Sequence, residues 1–321
     1  MYDMIFMIPH PDDEILACSY WLNIAVQRSS SVKLVYLTDG ENDLIGELLA
    51  YCDCTLSKIN DYYISAAVKL VPAEGIFSFF SAVLVRDLKL QPVPRAEIKA
   101  AIGDTVVSAA TNELGYACFS TKSKIRSLTV QEYQLPDSIW RPVPASFHKE
   151  YGDIRFQESM HSLKLLGLHA DIVRLCLKDG GLSSLKGEQK KDLDAFAERL
   201  LLGSPQACII FPHEMDADTD HSTISHIIQA HAGREHTMLR YIVHSSINHK
   251  TWPNPSYHTC RNDRLADNVL LPPLPGEKPI EKMVDRKLKQ RLTQCFESQL
   301  RSDEFGFLIA FAKDNEYYYR K

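Results

Sequence analysis

The residues best suited to chemistry lie in one short segment near the N-terminus, Pro9-His10-Pro11-Asp12-Asp13-Glu14. The apolar run Met4–Ile8 precedes this segment and predicts a buried strand that ends at the polar cluster, followed by a loop and a helix. In open α/β sheets, ligands bind just beyond the carboxyl ends of the strands. His10 and Asp13, three residues apart, could therefore bind one metal ion there, while Asp12 between them stays free for proton transfer.

A simpler interpretation of the same segment is a capped helix start. Asp12 or Asp13 would be the N-cap residue, and Glu14 would lie in the first turn, where the helix dipole favours a negative charge. Capping accounts for one carboxylate. It does not account for the histidine, the second aspartate and the two prolines.

A second polar cluster, Pro212–His221, follows another apolar run, Ala207–Phe211. It holds two histidines, one glutamate and three aspartates. Two complementary clusters at the ends of two predicted strands argue against a chance arrangement and favour a shared site.

The overall composition is that of an ordinary globular protein, with 321 residues, 45% of them hydrophobic and 24% charged. The formal net charge of -5 gives no electrostatic argument for binding to nucleic acid or to an anionic membrane. No apolar stretch approaches the ~20 residues that a membrane-spanning helix needs. The N-terminus has no basic region before its apolar run, so we expect no signal peptide.

The eight cysteines are expected to be reduced thiols in a cytoplasmic protein. Most lie inside apolar runs, where a free cysteine behaves as a small hydrophobic residue. The one tight pair, Cys52-Asp53-Cys54, lacks the second pair that a structural zinc site would need.

Apolar and amphipathic segments alternate along the chain and predict an α/β fold that is Rossmann-like, with a mostly parallel sheet flanked by helices. The predicted strands are Met4–Ile8, Val32–Leu37, Ile172–Leu177, Ala207–Phe211 and Leu239–Val243. The predicted helices are Ile15–Val26, Arg155–Leu166, Glu188–Leu202, a helix from the second cluster through His231, and a last helix around Met283–Leu300 after the proline-rich stretch Leu271–Pro279.

The alternation is interrupted between residues 45 and 151, after the second strand. We therefore predict one domain made of residues 1–44 and 152–321, with 45–151 as a large insertion that covers or flanks the active site. Within the insertion, Ala82–Leu90 is a strand candidate and Arg95–Thr111 a helix candidate.

Together the two clusters resemble the PIG-L/LmbE-like zinc deacetylases, which remove N-acetyl groups from glucosamine-containing substrates. In that family an (A/P)HPDDE motif ends the first strand and an HxDH motif opens a later helix. The resemblance spans roughly residues 1–42 and 153–260, outside the insertion. Weaker signals are Tyr36-Leu37-Thr38-Asp39-Gly40, Arg155-x-x-Glu158 followed by Leu166-Gly167, Asp179-Gly180-Gly181, and an echo at Ser298-Gln299 and Glu316.

The resemblance implies a metal site whose ligands are His10, Asp13 and His221. Asp12 would be the general base that deprotonates the metal-bound water, which then attacks the acetyl carbonyl. Two nitrogens and one oxygen leave a coordination position open, as a catalytic zinc requires, although iron(II) suits the same ligands.

The resemblance also implies that Arg155 and Asp179 contact sugar hydroxyls. The alternative for Arg155 is an ordinary i,i+3 ion pair with Glu158, and the alternative for Asp179 is a common turn residue before two glycines. A competing alignment would put the arginine-bearing helix near Asn60–Val71, but that segment lacks both the arginine and the Leu-Gly ending.

One departure from the family pattern concerns the second motif, which is Asp218-Thr219-Asp220-His221 here, with an aspartate in place of its first histidine. The resemblance gives that histidine a role at the oxyanion or the leaving amine, and gives Asp220 a catalytic role in orienting it. A carboxylate cannot donate to an oxyanion unless it is protonated. Either His213, His244 or His249 supplies the imidazole, or the protein is a slow or inactive member.

The expected function is therefore a zinc-dependent hydrolase that removes an N-acetyl group from an amino sugar or an amino-sugar conjugate. The alternative is a catalytically weak or inactive relative that binds metal and sugar. Hydrolysis of another amide is a third possibility, because the same activated water would perform it. The expected partner is a small N-acetylated amino sugar or glycoconjugate, with no nucleic acid and no membrane span. The sequence does not define an oligomeric state.

Overall fold

The structure is a computed structural model that describes residues 2–73, 76–102, 104–121, 123, 125–136, 139–233, 235–244, 279–302, 307–312 and 314–320. In chain order, its elements are β1 (Met4–Ile8), α1 (Asp13–Arg28), β2 (Val32–Thr38), α2 (Leu44–Cys54), β3 (Ser57–Ile59), β4 (Tyr62–Ala73), β5 (Ile76–Asp87), β6 (Glu97–Ile102), β7 (Thr105–Ala110), β8 (Tyr116–Thr121), β9 (Ile125–Val130), β10 (Tyr133–Gln134), β11 (Trp140–Pro142), α3 (Phe147–Leu166), β12 (Asp171–Leu177), a short 3-10 helix (Leu182–Ser184), α4 (Gly187–Leu202), β13 (Cys208–Pro212), α5 (Thr219–His231), β14 (Thr237–Tyr241), β15 (Pro279–Met283), α6 (Arg286–Thr293), α7 (Glu297–Ser302), α8 (Phe307–Ala310) and β16 (Asn315–Arg320).

A seven-stranded sheet with the order β12-β2-β1-β13-β14-β16-β15 forms the centre of the first unit. Its first five strands are parallel, and β16 runs antiparallel to both β14 and β15. In sequence order the parallel strands stand third, second, first, fourth and fifth, which is a doubly wound arrangement. The predicted Rossmann-like fold is confirmed by this topology.

The strand order reverses between β1 and β13, and this position determines where a ligand can bind. At such a reversal, successive crossover connections leave on opposite sides of the sheet and open a crevice at the strand ends. The two polar clusters of the sequence follow these two strands. The fold therefore brings the two clusters to one crevice.

Strand β1 is buried on both faces, as expected for the centre of a parallel sheet. Phe6 and Ile8 point into one apolar core, which also holds Ile15 of α1. Ile5 and Met7 point into a second core on the opposite face. The continuous apolar run in the sequence thus reflects two helical layers.

The chain divides into two compact units, 1–42 with 152–321, and 43–151. The second unit contains a five-stranded sheet in which β11, β4, β5 and β8 follow in that order and β3 pairs with β4, and a four-stranded sheet in the order β10-β9-β6-β7. Its largest apolar cluster draws on both sheets, for example Ile64 and Val83 of one and Ile98 and Leu128 of the other. The covering or flanking role expected of residues 45–151 stays a prediction.

The helix predicted over Arg95–Thr111 is wrong, because these residues contain the antiparallel pair β6 and β7. In β6, Ile98 and Ala100 are buried while Glu97 and Lys99 are exposed. This period of two is that of a strand with one buried face. The strand candidate Ala82–Leu90 lies partly within β5, which starts earlier and ends at Asp87.

The single last helix predicted around Met283–Leu300 is also wrong. This range begins at the end of strand β15 and then contains α6 and most of α7. Asp285 starts α6 by accepting a hydrogen bond from the backbone N–H of Leu288, so the chain cannot be helical before it. The proline-rich stretch Leu271–Pro279 lies outside the described residues except for Pro279.

The competing alignment near Asn60–Val71 is excluded, because this segment belongs mainly to strand β4 rather than to a helix. In the part of the chain that the structure describes, no helix is long and apolar enough to cross a membrane. The seven cysteines in that part are all free, and Cys260 lies outside it.

Candidate metal centre

Two imidazoles and one carboxylate meet at the crevice between β1 and β13. The Nδ1 atom of His10 lies 3.2 Å from Nε2 of His221 and 3.5 Å from Oδ2 of Asp13. The third distance, from Nε2 of His221 to Oδ2 of Asp13, is 3.1 Å. The structure thus brings together the three residues that the sequence proposed as metal ligands.

These distances suit a bound zinc ion. Ligand atoms about 2.0–2.1 Å from a tetrahedral zinc lie about 3.4 Å from one another, close to the three separations found here. His10, Asp13 and His221 are all buried and their ligand atoms form a group that could hold a metal ion. Without an ion, two imidazoles and a carboxylate in contact would favour proton-sharing ion pairs. The donor set therefore fits zinc, and equally fits iron(II).

Helix capping does not explain the first cluster. Helix α1 begins at Asp13, and the side chain of the preceding Asp12 makes no capping hydrogen bond. The carboxylate of Asp13 accepts instead from the backbone N–H of His10, at 3.0 Å. This bond folds the loop so that the two ligands of the first cluster face the same point.

His221 is oriented by Asp216, whose Oδ2 atom lies 3.1 Å from Nδ1 of His221. The same carboxylate accepts from the backbone N–H groups of Val243, at 2.8 Å, and His244, at 3.2 Å. Such a carboxylate partner fixes the ring tautomer and leaves Nε2 free for a metal. Sequence reasoning missed Asp216, although it lies in the second cluster five residues before the histidine.

The other ring nitrogen of His10 faces two further aspartates. Its Nε2 atom is 3.1 Å from Oδ1 of Asp179 and 3.7 Å from Oδ2 of Asp220. Asp220 in turn accepts from the backbone N–H groups of Gly180, at 2.8 Å, and Leu182, at 2.9 Å. Asp220 therefore secures the loop that carries Asp179, and Asp179 orients His10.

The carboxylates and imidazoles of this site shift one another's pKa values, each stabilising the charged form of the other. Burial alone would lower the pKa of His221, but the carboxylates of Asp13 and Asp216 outweigh it and raise the pKa to about 10. Burial would raise the pKa of Asp13, but His221 and His10 hold it well below its usual range. A metal ion bound by these ligands would compete with protons for the two imidazoles, so metal binding should weaken as the pH falls.

Asp12, the proposed base, has a strained backbone with a φ of 145°. A non-glycine residue adopts such a φ only when its surroundings hold it there. Its N–H donates to Oε2 of Glu14 at 3.0 Å, and its Oδ2 accepts from Nη2 of Arg155 at 3.1 Å. Burial raises the pKa of Asp12 to about 7, against the lowering effect of Arg155.

Arg155, for which the resemblance implies a contact with sugar hydroxyls, binds protein groups in the described structure, and the sugar contact stays a prediction. Its guanidinium is buried and donates to the carbonyl oxygen of Gly40, to that of Pro11 at 3.3 Å, and to Oε1 of Gln299 at 2.9 Å. Gln299 also donates to the Pro11 carbonyl at 3.1 Å. Arg155 and Gln299 together hold the loop of the first cluster.

Glu158, the other residue of the arginine motif, binds Ser298. Its carboxylate accepts from the backbone N–H and from the hydroxyl of Ser298, each at 2.7 Å. These bonds fasten α7, which carries the neighbouring Gln299. The weak echo of the family at Ser298-Gln299 therefore has a physical basis in the support of the first cluster.

Asp218, which stands where the family pattern has histidine, is the N-cap residue of α5. Its Oδ1 atom accepts from the backbone N–H groups of Asp220, at 2.8 Å, and His221, at 3.2 Å. A capping carboxylate is stabilised there by the helix dipole. Asp218 thus fixes the start of the helix that carries a ligand.

Of the three histidines considered as replacements, His244 lies beside the ligands. Its ring centroid is 5.2 Å from that of His221, with the two rings nearly perpendicular. His213 is buried against Tyr319, and its Nδ1 accepts from the backbone N–H of Met215 at 3.0 Å. His249 lies outside the described residues.

Comparison with known proteins agrees with these motifs. Residues 5–111, about one third of the chain, match the family model described as PIG-L, GlcNAc-PI de-N-acetylase, and this match agrees with the resemblance drawn from the first motif. The matched range contains His10, Asp12 and Asp13, and it also enters the inserted unit. No curated protein matches the chain at a significant level.

Several solved structures are similar to the chain at low identity. A conserved protein from Thermus thermophilus is 14% identical, with 97% of this chain and 85% of that chain covered and a TM-score of 0.44. The N,N'-diacetylchitobiose deacetylase from Pyrococcus horikoshii is 12% identical, with 93% and 71% covered and a TM-score of 0.40. A zinc-inhibited form of a teicoplanin deacetylase is 10% identical, with 99% and 97% covered and a TM-score of 0.44. Since these TM-scores lie below 0.5, the assignment of the fold rests on the sheet topology.

Proposed function

We propose that this protein is a zinc-dependent hydrolase that removes an N-acetyl group from an amino sugar or an amino-sugar conjugate. The observation that carries the proposal is the buried triangle of His10, Asp13 and His221, with the carboxylate of Asp12 next to it. The family match supports N-deacetylation as the reaction.

The protein would hold the metal through Nδ1 of His10, Oδ2 of Asp13 and Nε2 of His221. A bound divalent cation would polarise the amide carbonyl and make a water molecule acidic enough to attack it near neutral pH. Asp179 and Asp216 accept from the outer nitrogens of the two imidazoles, so that both rings present their other nitrogen to the metal. This preorganisation removes the need for ring rotation when the metal binds.

Asp12 would accept the proton of the attacking water. General bases act best when their pKa lies near the working pH; burial raises the pKa of Asp12 towards that range, and the charge of a bound cation would act in the opposite direction. Arg155 fixes the orientation of the carboxylate through Oδ2 and leaves Oδ1 for the proton. In this proposal, Arg155 and Asp179 position the machinery rather than bind the sugar.

His244 would supply the imidazole that the second motif lacks. It lies beside His221, and its backbone N–H binds the same Asp216 carboxylate that orients His221. An imidazole next to the scissile amide can donate to the developing oxyanion or to the leaving nitrogen. Asp218 would then act as a helix cap and need not take part in the chemistry.

The test is acetate release from N-acetylglucosamine conjugates by zinc-loaded protein. Asp12→Asn keeps the size of the side chain but removes the base, so we expect the rate to fall by about 10²–10⁴-fold with zinc still bound. Asp171→Asn is the matched control, because Asp171 pairs with Lys33 at the edge of the sheet. Acetate release that survives Asp12→Asn unchanged would refute the assignment of the base.

A catalytically weak or inactive relative is the second candidate, and the capping role of Asp218 is the observation that keeps it open. A protein that binds zinc and N-acetylglucosamine conjugates tightly, but releases no acetate, would support this candidate. Hydrolysis of a different amide would appear as another product pair in mass spectrometry. That outcome would keep the metal centre and change only the substrate.

A further inference from the structure

A lysine and a glutamate are buried together beside helix α1, outside the metal centre. Lys289 of α6 and Glu316 of β16 are 1% and 4% exposed, and their Nζ and Oε1 atoms are 2.6 Å apart. Taking two charges out of water is costly unless further hydrogen bonds satisfy both groups. The groups that form these further hydrogen bonds therefore indicate the role of the ion pair.

These partners are backbone groups in the first half of α1. Lys289 donates to the carbonyl oxygen of Leu16 at 2.6 Å, and Oε2 of Glu316 accepts from the N–H of Tyr20 at 2.9 Å. In a regular α-helix, the N–H of Tyr20 would donate to that same carbonyl of Leu16. Lys289 thus binds the acceptor of one i→i−4 pair of the helix, and Glu316 binds the donor of the same pair.

The preceding i→i−4 pair of the helix, formed by the N–H of Ser19 and the carbonyl of Ile15, also binds side chains. The N–H of Ser19 donates to Oε1 of Glu316 at 3.1 Å, while the Ser19 hydroxyl donates to the carbonyl of Ile15 at 2.6 Å. Tyr318 adds a third contact, because its hydroxyl donates to the carbonyl of Ala17 at 2.7 Å. These hydrogen bonds tie the stretch of α1 between Ile15 and Tyr20 to α6 and β16.

We propose that Lys289 and Glu316 are positioning residues for the metal centre, acting through the first turn of α1. This inference rests on the proposed metal site. Asp13 begins α1 and lies one turn before Leu16, so the direction of this turn decides where its carboxylate points. Elements α6 and β16, near the C-terminal end of the described chain, would thereby fix the orientation of Asp13, near its N-terminal end.

The rival explanation is that the pair only stabilises the fold. Replacement of a buried ion pair by apolar residues of similar size often leaves stability unchanged or raises it. Such a replacement would keep the packing but lose the directed bonds to Leu16, Ser19 and Tyr20. Stability and zinc affinity can therefore be separated.

The experiment compares the single variants Lys289→Met and Glu316→Gln with the double variant Lys289→Met/Glu316→Leu. Thermal unfolding and zinc affinity, by competition with a chelator, are measured for each full-length protein. Lys33→Met is the matched control, because Lys33 forms an ion pair with Asp171 at the sheet edge. We expect both single variants to unfold at lower temperature and to bind zinc more weakly.

The double variant decides between the explanations. Recovery of the unfolding temperature with zinc affinity still reduced roughly tenfold supports the proposal, since that is the scale of effects from groups that orient metal ligands. Recovery of both properties, or zinc affinity within about twofold of wild type in every variant, overturns it. If the double variant does not fold, Glu316→Gln decides alone, with zinc affinity measured at a temperature at which it is fully folded: weaker zinc binding than the Lys33→Met control supports the proposal, and equal binding overturns it.

The outcome is independent of the proposed reaction. A wild-type protein that binds zinc but releases no acetate would refute the deacetylase and leave this test intact. Variants that bind zinc as well as wild type would refute the positioning role while the deacetylase stands. A wild-type protein that binds no zinc would overturn both.

Discussion

The two polar clusters have similar composition but use their carboxylates differently. In the first, His10, Asp12 and Asp13 are nearly consecutive and all face the proposed reaction centre. In the second, only His221 is a proposed ligand, and the aspartates bind backbone N–H groups: Asp216 those of Val243 and His244, Asp218 those of Asp220 and His221, and Asp220 those of Gly180 and Leu182.

The difference follows from how each loop is held. The first loop is strained at Asp12 and is supported from outside by Arg155 and Gln299. In the second loop, Asp218 accepts from backbone N–H groups that follow it directly, while Asp216 and Asp220 accept from those of neighbouring segments, so these carboxylates hold the loop and its surroundings together. A carboxylate in a polar motif can therefore be a ligand, a base or a backbone acceptor, and its hydrogen bonds distinguish these roles.

The largest effect that separates the two loops should come from His221→Gln. This variant removes the single ligand that the second loop contributes, so we expect loss of both bound zinc and acetate release. Asp12→Asn in the first loop should abolish most of the activity but keep the zinc. Metal analysis of the two purified proteins makes the comparison, and a zinc-loaded, active His221→Gln protein would contradict the ligand assignment.

The next largest effect is expected for His244→Ala. Loss of one donor to an oxyanion typically lowers kcat by about 10²–10³-fold. Zinc content should not change, because His244 contacts the ring of a ligand without being one. His226→Ala is the control, since this histidine is exposed on α5. A normal kcat in His244→Ala would remove His244 from the mechanism and favour a donor outside the described residues.

The sequence was sufficient to predict the parallel core and the convergence of the two clusters. Apolar runs such as Met4–Ile8 end sharply at polar residues, and the rule for strand ends then places those residues at one crevice. The inserted unit was less predictable. Residues 95–111 contain apolar residues at spacings compatible with a helix, and only the alternating exposure within β6 and the pairing of β6 with β7 show the strands.

The residues that hold the proposed ligands and the proposed base in place could not be predicted from the sequence either. The contacts of His221 with Asp216 and of Asp12 with Arg155 depend on distances in the folded protein. The residue type alone also does not distinguish an aspartate that caps a helix from one that binds a metal. Asp218 shows the problem most clearly. Its position in the motif suggested that a catalytic histidine had been lost, whereas its hydrogen bonds are those of an N-cap residue.

A smaller effect is expected for Asp216→Asn, which keeps the shape of the side chain but removes the charge beside His221. Loss of a carboxylate that orients a metal-bound histidine typically lowers metal affinity about 10–100-fold. Chelator competition measures this change, and kcat at saturating zinc should fall less than it does in His244→Ala. Unchanged zinc affinity would mean that the backbone alone holds His221 in place.

The smallest effect should come from Asp218→Ala, which removes only the cap of α5. Loss of an N-cap costs about 0.5–2 kcal/mol of unfolding free energy. Asp218→Asn keeps an oxygen acceptor for the two N–H groups, so it should retain most of the stability and the full acetate release. Chemical denaturation and kcat of the two variants together test the role of this residue. If Asp218→Asn unfolds like wild type but loses activity, the carboxylate itself takes part in the reaction, and the second loop resembles the first more closely than its hydrogen bonds indicate.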